Sequence, residues 1–263
     1  MEETYYGEAN PVFLYRYRPL TEDGGRDVVR DELDLIKNGF IWLSTPKVLN
    51  DPFDCRPICT AAQEGRLDQL LAKFLVGCMS AIPPNAVDAS PMWSYYADSH
   101  RGICIEFPFD RARAAMGLPI ERVRYSNTRL DIRSLDHTRM RITSPRRLGV
   151  VVAQEEVSDP INNIEILELS RKSEAWRHEQ EWRFIWSQNH ERPPEAIARE
   201  IAEHGAMAGH KAFVSRPSRV IFGANMDAAR KCCLANLCRD IGVSTVEAYR
   251  SEAEYRIEYR PKE

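Results

Sequence analysis

Apolar and polar positions alternate with a period of two in several short runs of this chain. In a few longer runs they recur near 3.6, so both strands and helices are expected. Residues 13–18 (FLYRYR) alternate and stop at Pro19, which predicts a first strand. Phe13, Tyr15 and Tyr17 then share one face, and Leu14, Arg16 and Arg18 the other. Residues 26–38 carry Val29, Leu33 and Ile36 at helical spacing and end at Gly39, a normal C-terminal breaker. Residues 40–43 predict a short apolar strand ended by Ser44-Thr45-Pro46, and the turn Asn50-Asp51-Pro52 follows. Leu67, Leu70, Leu71, Phe74, Leu75 and Cys78 form one helical stripe.

Residues 81–91 are a Pro-rich loop. Strands are expected at 102–107, 122–125, 218–222, 243–249 and 254–259, and a helix at 227–241. The segment 126–147 is polar and arginine-rich, and 188–212 is charged and loop-like, with a helical piece around 195–204. There is no internal repeat and no regular βαβ alternation. The expected fold is therefore α+β, a single domain over 1–263 with a mixed, split β-sheet flanked by helices.

The densest chemistry lies in KSEAWRHEQEWRFIW. As a strand, Glu179, Glu181 and Arg183 share one face, and Trp182, Phe184 and Trp186 the other. The aromatic face suits a core; the charged face is an ordered row of two carboxylates and a guanidinium. Glu254, Arg256, Glu258 and Arg260 alternate with Tyr255, Ile257 and Tyr259 in the same way, and there a solvated face with cross-strand ion pairs is expected.

Composition changes this picture little. The chain has 263 residues, 43% hydrophobic and 29% charged, enough apolar mass for a real core. Its net charge of −3 creates no global attraction to nucleic acid or membranes. No apolar run approaches the roughly 20 residues of a membrane span. Seven cysteines, an odd number without a preceding signal peptide, suggest a reducing cytoplasm. Cys232, Cys233 and Cys238 fall in the expected helix as buried small hydrophobes rather than zinc ligands. No GxGxxG or Walker-type phosphate loop is present.

LYRYR, NGFIWLSTPKVLNDPFDC, SYYADSHRGICIEF, KSEAWRHEQEWRF and RVIFGANM occur in this order. The order resembles the bacterial domain-of-unknown-function 2971 family over nearly the whole chain. More distantly, the chain is similar to mono-ADP-ribosyltransferases. Those enzymes carry an arginine or histidine on the first strand, a Ser-Thr step ending the second, and a Glu-x-Glu or single Glu on or before a later strand. Arg16 or Arg18, Ser44-Thr45 and Glu179-x-Glu181 match in chain order. Two departures are a Thr-Pro after the serine and glutamates that read as lying inside a strand.

The resemblance implies an ADP-ribosyltransferase-like fold and NAD-dependent transfer of ADP-ribose to an unknown macromolecular acceptor, as in a bacterial toxin or defence effector. NAD would be a substrate, with no metal. Glu181 would stabilise the oxocarbenium-like ribose, and Glu179 would activate the acceptor or form an ion pair with Arg177 or Arg183. Arg16 or Arg18 would hold the pyrophosphate, or pair with the glutamates. Ser44 and Thr45 would orient the ribose or the glutamate, or simply end a strand before Pro46. Trp93, Tyr95 and Tyr96 would stack nicotinamide or pack in the core. Further candidates are Asn50, Asp51, His100 and Arg183. The Arg-rich segment 111–147 is a candidate phosphate or nucleic-acid contact.

Two other classes fit the same residues. Asp51, Asp54, Glu179 and Glu181 could gather a metal for a nuclease or phosphoesterase, although no HExxH, HxH or DxD motif accompanies them. A non-enzymatic sensor or binding module is the other.

Overall fold

The computed structural model describes residues 10–21, 28–110, 112, 120–134, 169–187 and 209–261. Ten of its strands join one mixed sheet. Its central path begins with β1 (Phe13–Arg18), β2 (Phe40–Ser44), β3 (Phe74–Ser80) and β4 (Ile103–Pro108). Later strands are β5 (Ile120–Arg122), β8 (Glu181–Ser187), β9 (Gly209–Phe213), β10 (Arg219–Phe222), β11 (Ser244–Arg250) and β12 (Ile257–Pro261). A separate parallel pair joins β6 (Arg124–Ser126) and β7 (Arg171–Ser173). The helices are α1 (Val28–Asn38), α2 (Ala61–Leu71), α3 (Ser90–Tyr96) and α4 (Ala228–Asp240). This is the α+β arrangement expected, and within the described main sheet only β10 and β11 pair in parallel.

Alternation sorts the strands as expected. Leu14, Leu43, Leu75, Ile105, Phe184 and Val220 meet Ile36 of α1 and Leu234 of α4 in one core. Tyr15, Tyr17, Cys104 and Ile221 pack on the opposite side with Met92 and Trp93 of α3.

The sheet forks at β3. One edge of β3 pairs with β8 along its whole length, from Phe74↔Ser187 to Ser80↔Glu181. The other edge is shared: β1 meets it at Tyr15↔Ser80 and β2 at Ser44↔Val76. The two contacts are four residues apart, so β1 and β2 leave a common stem roughly 13 Å from one another. Gly77 lies inside this fork. A Cβ there would collide with Leu43 and Ile41, so glycine lets the β2 side chains pack across β3.

Three expectations need correction. The stripe from Leu67 to Cys78 is not one helix: α2 stops at Leu71, and Phe74–Ser80 is the most central strand. A strand buried on both faces is apolar throughout, so helical spacing appears within it by accident. Glu179 is not in a strand. It ends a 3₁₀ turn, Glu174–Glu179, Gln180 takes a left-handed φ of 43°, and β8 begins at Glu181. Cys238 is buried, but Cys232 and Cys233 are exposed.

Within 188–212 the described residues 209–212 belong to β9, an edge strand on β2; the rest lies outside the described residues. Of 126–147, residues 135–147 also lie outside them.

Candidate active-site cleft

The fork holds a cleft of about 290 Å³. β1 contributes Tyr15, Arg16, Tyr17 and Arg18, and β2 contributes Trp42 and Ser44. Cys78 and Ser80 of β3 form the back, and Lys172, Glu179, Glu181, Tyr96, Asn50 and Asp54 complete it. Residues near the start of the chain and residues near position 180 thus face one space, because β1 and β8 both pair with β3.

A continuous polar chain forms one wall. Asn50 Nδ2 donates to Tyr96 Oη at 2.8 Å, and Tyr96 Oη donates to Glu179 Oε1 at 2.5 Å. Lys172 Nζ lies between the glutamates, 2.5 Å from Glu179 Oε2 and 3.2 Å from Glu181 Oε2. Arg183 donates from Nε to Glu181 Oε1 at 2.9 Å and grips Asp54 with two bonds, at 2.8 and 2.7 Å. Lys172, Glu179, Glu181, Arg183 and Asp54 are all buried. Three carboxylates against two cations leave the group one negative charge in excess, and buried carboxylates need such partners.

The two glutamates are driven apart electrostatically. Burial pushes the Glu181 carboxyl up, but Arg183 and then Lys172 outweigh it and hold the pKa at about 2. Burial also pushes Glu179 up; Lys172 opposes this and Glu181 adds to it, and the net shift is upward. Burial pulls Lys172 down, but Glu181 and Glu179 outweigh it and raise its pKa. Glu181 is therefore a fixed anion, and Glu179 a carboxylate nearer to exchanging a proton. Such a split between neighbouring acids is what acid–base sites require.

Opposite this wall, Arg16 Nη2 donates to the Trp42 carbonyl at 3.2 Å, tying β1 to β2 across the fork. Burial and the nearby Arg18 lower its pKa to about 10, which leaves it charged at neutral pH. Arg18 Nε pairs with Glu32 of α1 at 2.8 Å. Gly102 fixes this end of β1, because a Cβ there would collide with the Arg18 carbonyl oxygen.

Several expected roles change. The β1 arginines take the partners just named rather than the glutamates. Arg177 pairs with Glu174, while Glu179 pairs with Lys172. Ser44 lines the cleft, but Thr45 lines a separate cavity of about 270 Å³ that shares Asp54 with it. Trp93 is fully buried and donates to the Pro84 carbonyl at 2.9 Å, so it is core. Tyr96 holds Glu179, whereas Tyr95 is exposed and outside the cleft lining. Asp51 is buried, its Oδ1 accepting the Phe53 amide at 2.9 Å, as in an Asx turn. His100 stacks on Trp93 in a left-handed run and is not part of the cleft. Arg183 is sealed beneath the glutamates.

Lys172 and Trp42 are two of the cleft residues that the sequence reading did not name as site candidates. Lys172 was findable, because two neighbouring buried carboxylates demand a cation and this lysine lies just upstream of them. Trp42 was findable too, since it precedes Ser44 by two positions on the same strand face.

Residues 92–184 match the model of a family described as a protein of unknown function, DUF2971. The match runs from within α3 to within β8, including Tyr96, Lys172, Glu179, Glu181 and Arg183, and supports the similarity to that family. No curated protein and no solved structure matches the chain.

Proposed function

We propose that the fork cleft binds NAD and transfers its ADP-ribose to a macromolecular acceptor. The observation that carries this reading is the meeting of Arg16, Arg18 and Ser44 with Glu179 and Glu181 around one cavity. Cations on one wall suit a pyrophosphate, and a net-negative wall suits a ribose that becomes positive. The volume is near the lower limit of small-molecule sites, so the nicotinamide–ribose end enters and the adenylate end extends outward.

In the reaction the bond between ribose C1′ and the nicotinamide nitrogen breaks, and nicotinamide leaves with the electron pair. The acceptor forms a new bond to C1′ and gives its proton to Glu179. Glu181 supplies fixed negative charge beneath the ribose, Lys172 and Tyr96 hold Glu179 in place, and Trp42 offers a flat apolar wall to nicotinamide. A metal-dependent phosphoesterase fits less well. The oxygens of Asp54, Glu179 and Glu181 already face a guanidinium and an ammonium, the places a cation would take.

Calorimetric titration with NAD and an assay of nicotinamide release test this reading. The wild type binds NAD and releases nicotinamide slowly. Glu179→Gln keeps binding and slows transfer by about 10²-fold or more, while Arg16→Ala mainly weakens binding. A wild type without NAD affinity or nicotinamide release contradicts it and leaves a binding module as the better description; unchanged release in Glu179→Gln contradicts the role given to Glu179.

A further inference from the structure

The outer lip of the cleft beside Glu179 is aromatic and basic. Trp176 and His178 belong to the 3₁₀ turn that ends at Glu179, and Tyr95 projects from α3 next to them. Tyr95 lies 6.3 Å from Trp176 and 6.2 Å from His178 between ring centroids, and Trp176 lies 6.0 Å from His178. Tyr95 is 64% exposed. Phe53, in the turn whose Asn50 and Asp54 line the cleft, is 60% exposed under the guanidinium of Arg129 at 5.6 Å. Exposed rings grouped around a cleft mark a binding surface.

The charge of this lip is opposite in sign to that of the chain. Apart from the buried Lys172, residues 123–134 and 169–178 together hold five arginines against two carboxylates, whereas the whole chain is net −3. Arg124, Arg129 and Arg177 are exposed. Rings interleaved with guanidinium groups suit a ligand made of flat bases joined by phosphates, since every base offers a π-face and every phosphate a charge. A protein partner would instead favour an apolar centre depleted of charge.

We propose that this lip docks a single-stranded polynucleotide and presents one of its bases to the cleft as the acceptor. The transfer step rests on the NAD reading above; the docking step does not. Fluorescence anisotropy with a mixed-sequence single-stranded oligonucleotide, as DNA and as RNA and without NAD, measures docking alone. The wild type binds, and affinity falls steeply with salt. Tyr95→Ala, at an exposed position, weakens binding about tenfold. Arg124→Ala lowers the salt slope by about one. No binding at low salt, wild-type binding by Tyr95→Ala and Arg124→Ala, or tighter binding of a double-stranded oligonucleotide of the same sequence would overturn the inference. Nicotinamide release without oligonucleotide reports on the cleft separately: docking without release overturns the NAD reading, and release without docking overturns this one.

Discussion

Residues 179–183 and 254–260 carry the same alternation of acid, apolar or aromatic residue and arginine, yet they end in opposite surroundings. At the first, Arg183 is 0% exposed and bonds Glu181 and Asp54 with both ends of its guanidinium. At the second, Arg256 is 43% exposed and lies beside Glu254 at 2.8 Å and Glu258 at 3.6 Å, in the turn before β12. The difference is imported. Asp54 comes from a distant turn and Lys172 from the separate β6–β7 pair, and together they roof the first row. Among the described residues the second row stays at the surface: Glu254 and Arg256 are exposed, and Glu258 accepts from Tyr249 Oη at 2.9 Å and Ser251 Oγ at 2.7 Å. A charged stripe becomes a site when the rest of the fold supplies buried counter-charges, and a solvated face when it does not.

The comparison breaks most visibly at the two arginines. Arg183→Ala leaves Asp54 and Glu181 buried without their main partner and should cost about 3–5 kcal/mol in chemical denaturation. A small loss would mean that water reaches the network. Lys172→Met removes one of two cations and should cost about 1–3 kcal/mol. It should also raise the Glu179 pKa further, which carbon-13 NMR of the carboxyl groups would show.

The pH dependence sharpens the contrast. Glu181 titrates at about 2 when folded and at ~4.3 in an unfolded chain. The unfolded state takes up the proton first, so the stability that Glu181 contributes is present above ~4.3 and is lost as pH falls toward 2. Glu179 has the opposite sign. Its raised pKa means that ionisation opposes folding at higher pH; this cost starts to shrink as pH falls below its folded value and is gone below ~4.3, where the unfolded chain is protonated too. In unfolding curves across pH, wild type and Glu181→Gln should converge toward acid. Parallel curves would show that Glu181 is not held as a paired anion. The smallest effect belongs to the solvated row: Arg256→Ala should change stability by about 0.5 kcal/mol or less. A loss comparable to that of Arg183→Ala would erase the distinction.

Much of the fold was legible because its signals are local. The alternation of FLYRYR, the breaker at Gly39 and the aromatic face of Trp182, Phe184 and Trp186 require no knowledge of distant partners. β3 was misread because a strand buried on both faces loses its period of two. The fork was not readable at all, since two strands sharing one edge of β3 is a property of pairing, not of any segment. At the site, Glu179, Glu181, Arg16, Arg18 and Ser44 could be named from motif order. Their actual partners could not: Asp54 lies far from Arg183 in sequence, and Tyr96 meets Glu179 only because α3 packs under β1. Tyr95 and Tyr96 are adjacent in the chain, yet one helical step sends one outward and the other into the cleft.

The central claim is spatial, and a crystal soaked with NAD tests it most directly. The account predicts density for the dinucleotide in the fork, with the nicotinamide–ribose beside Glu179 and Glu181 and the pyrophosphate at Arg16 and Arg18. Density elsewhere on the protein, or a fork that stays empty at saturating NAD, would contradict it.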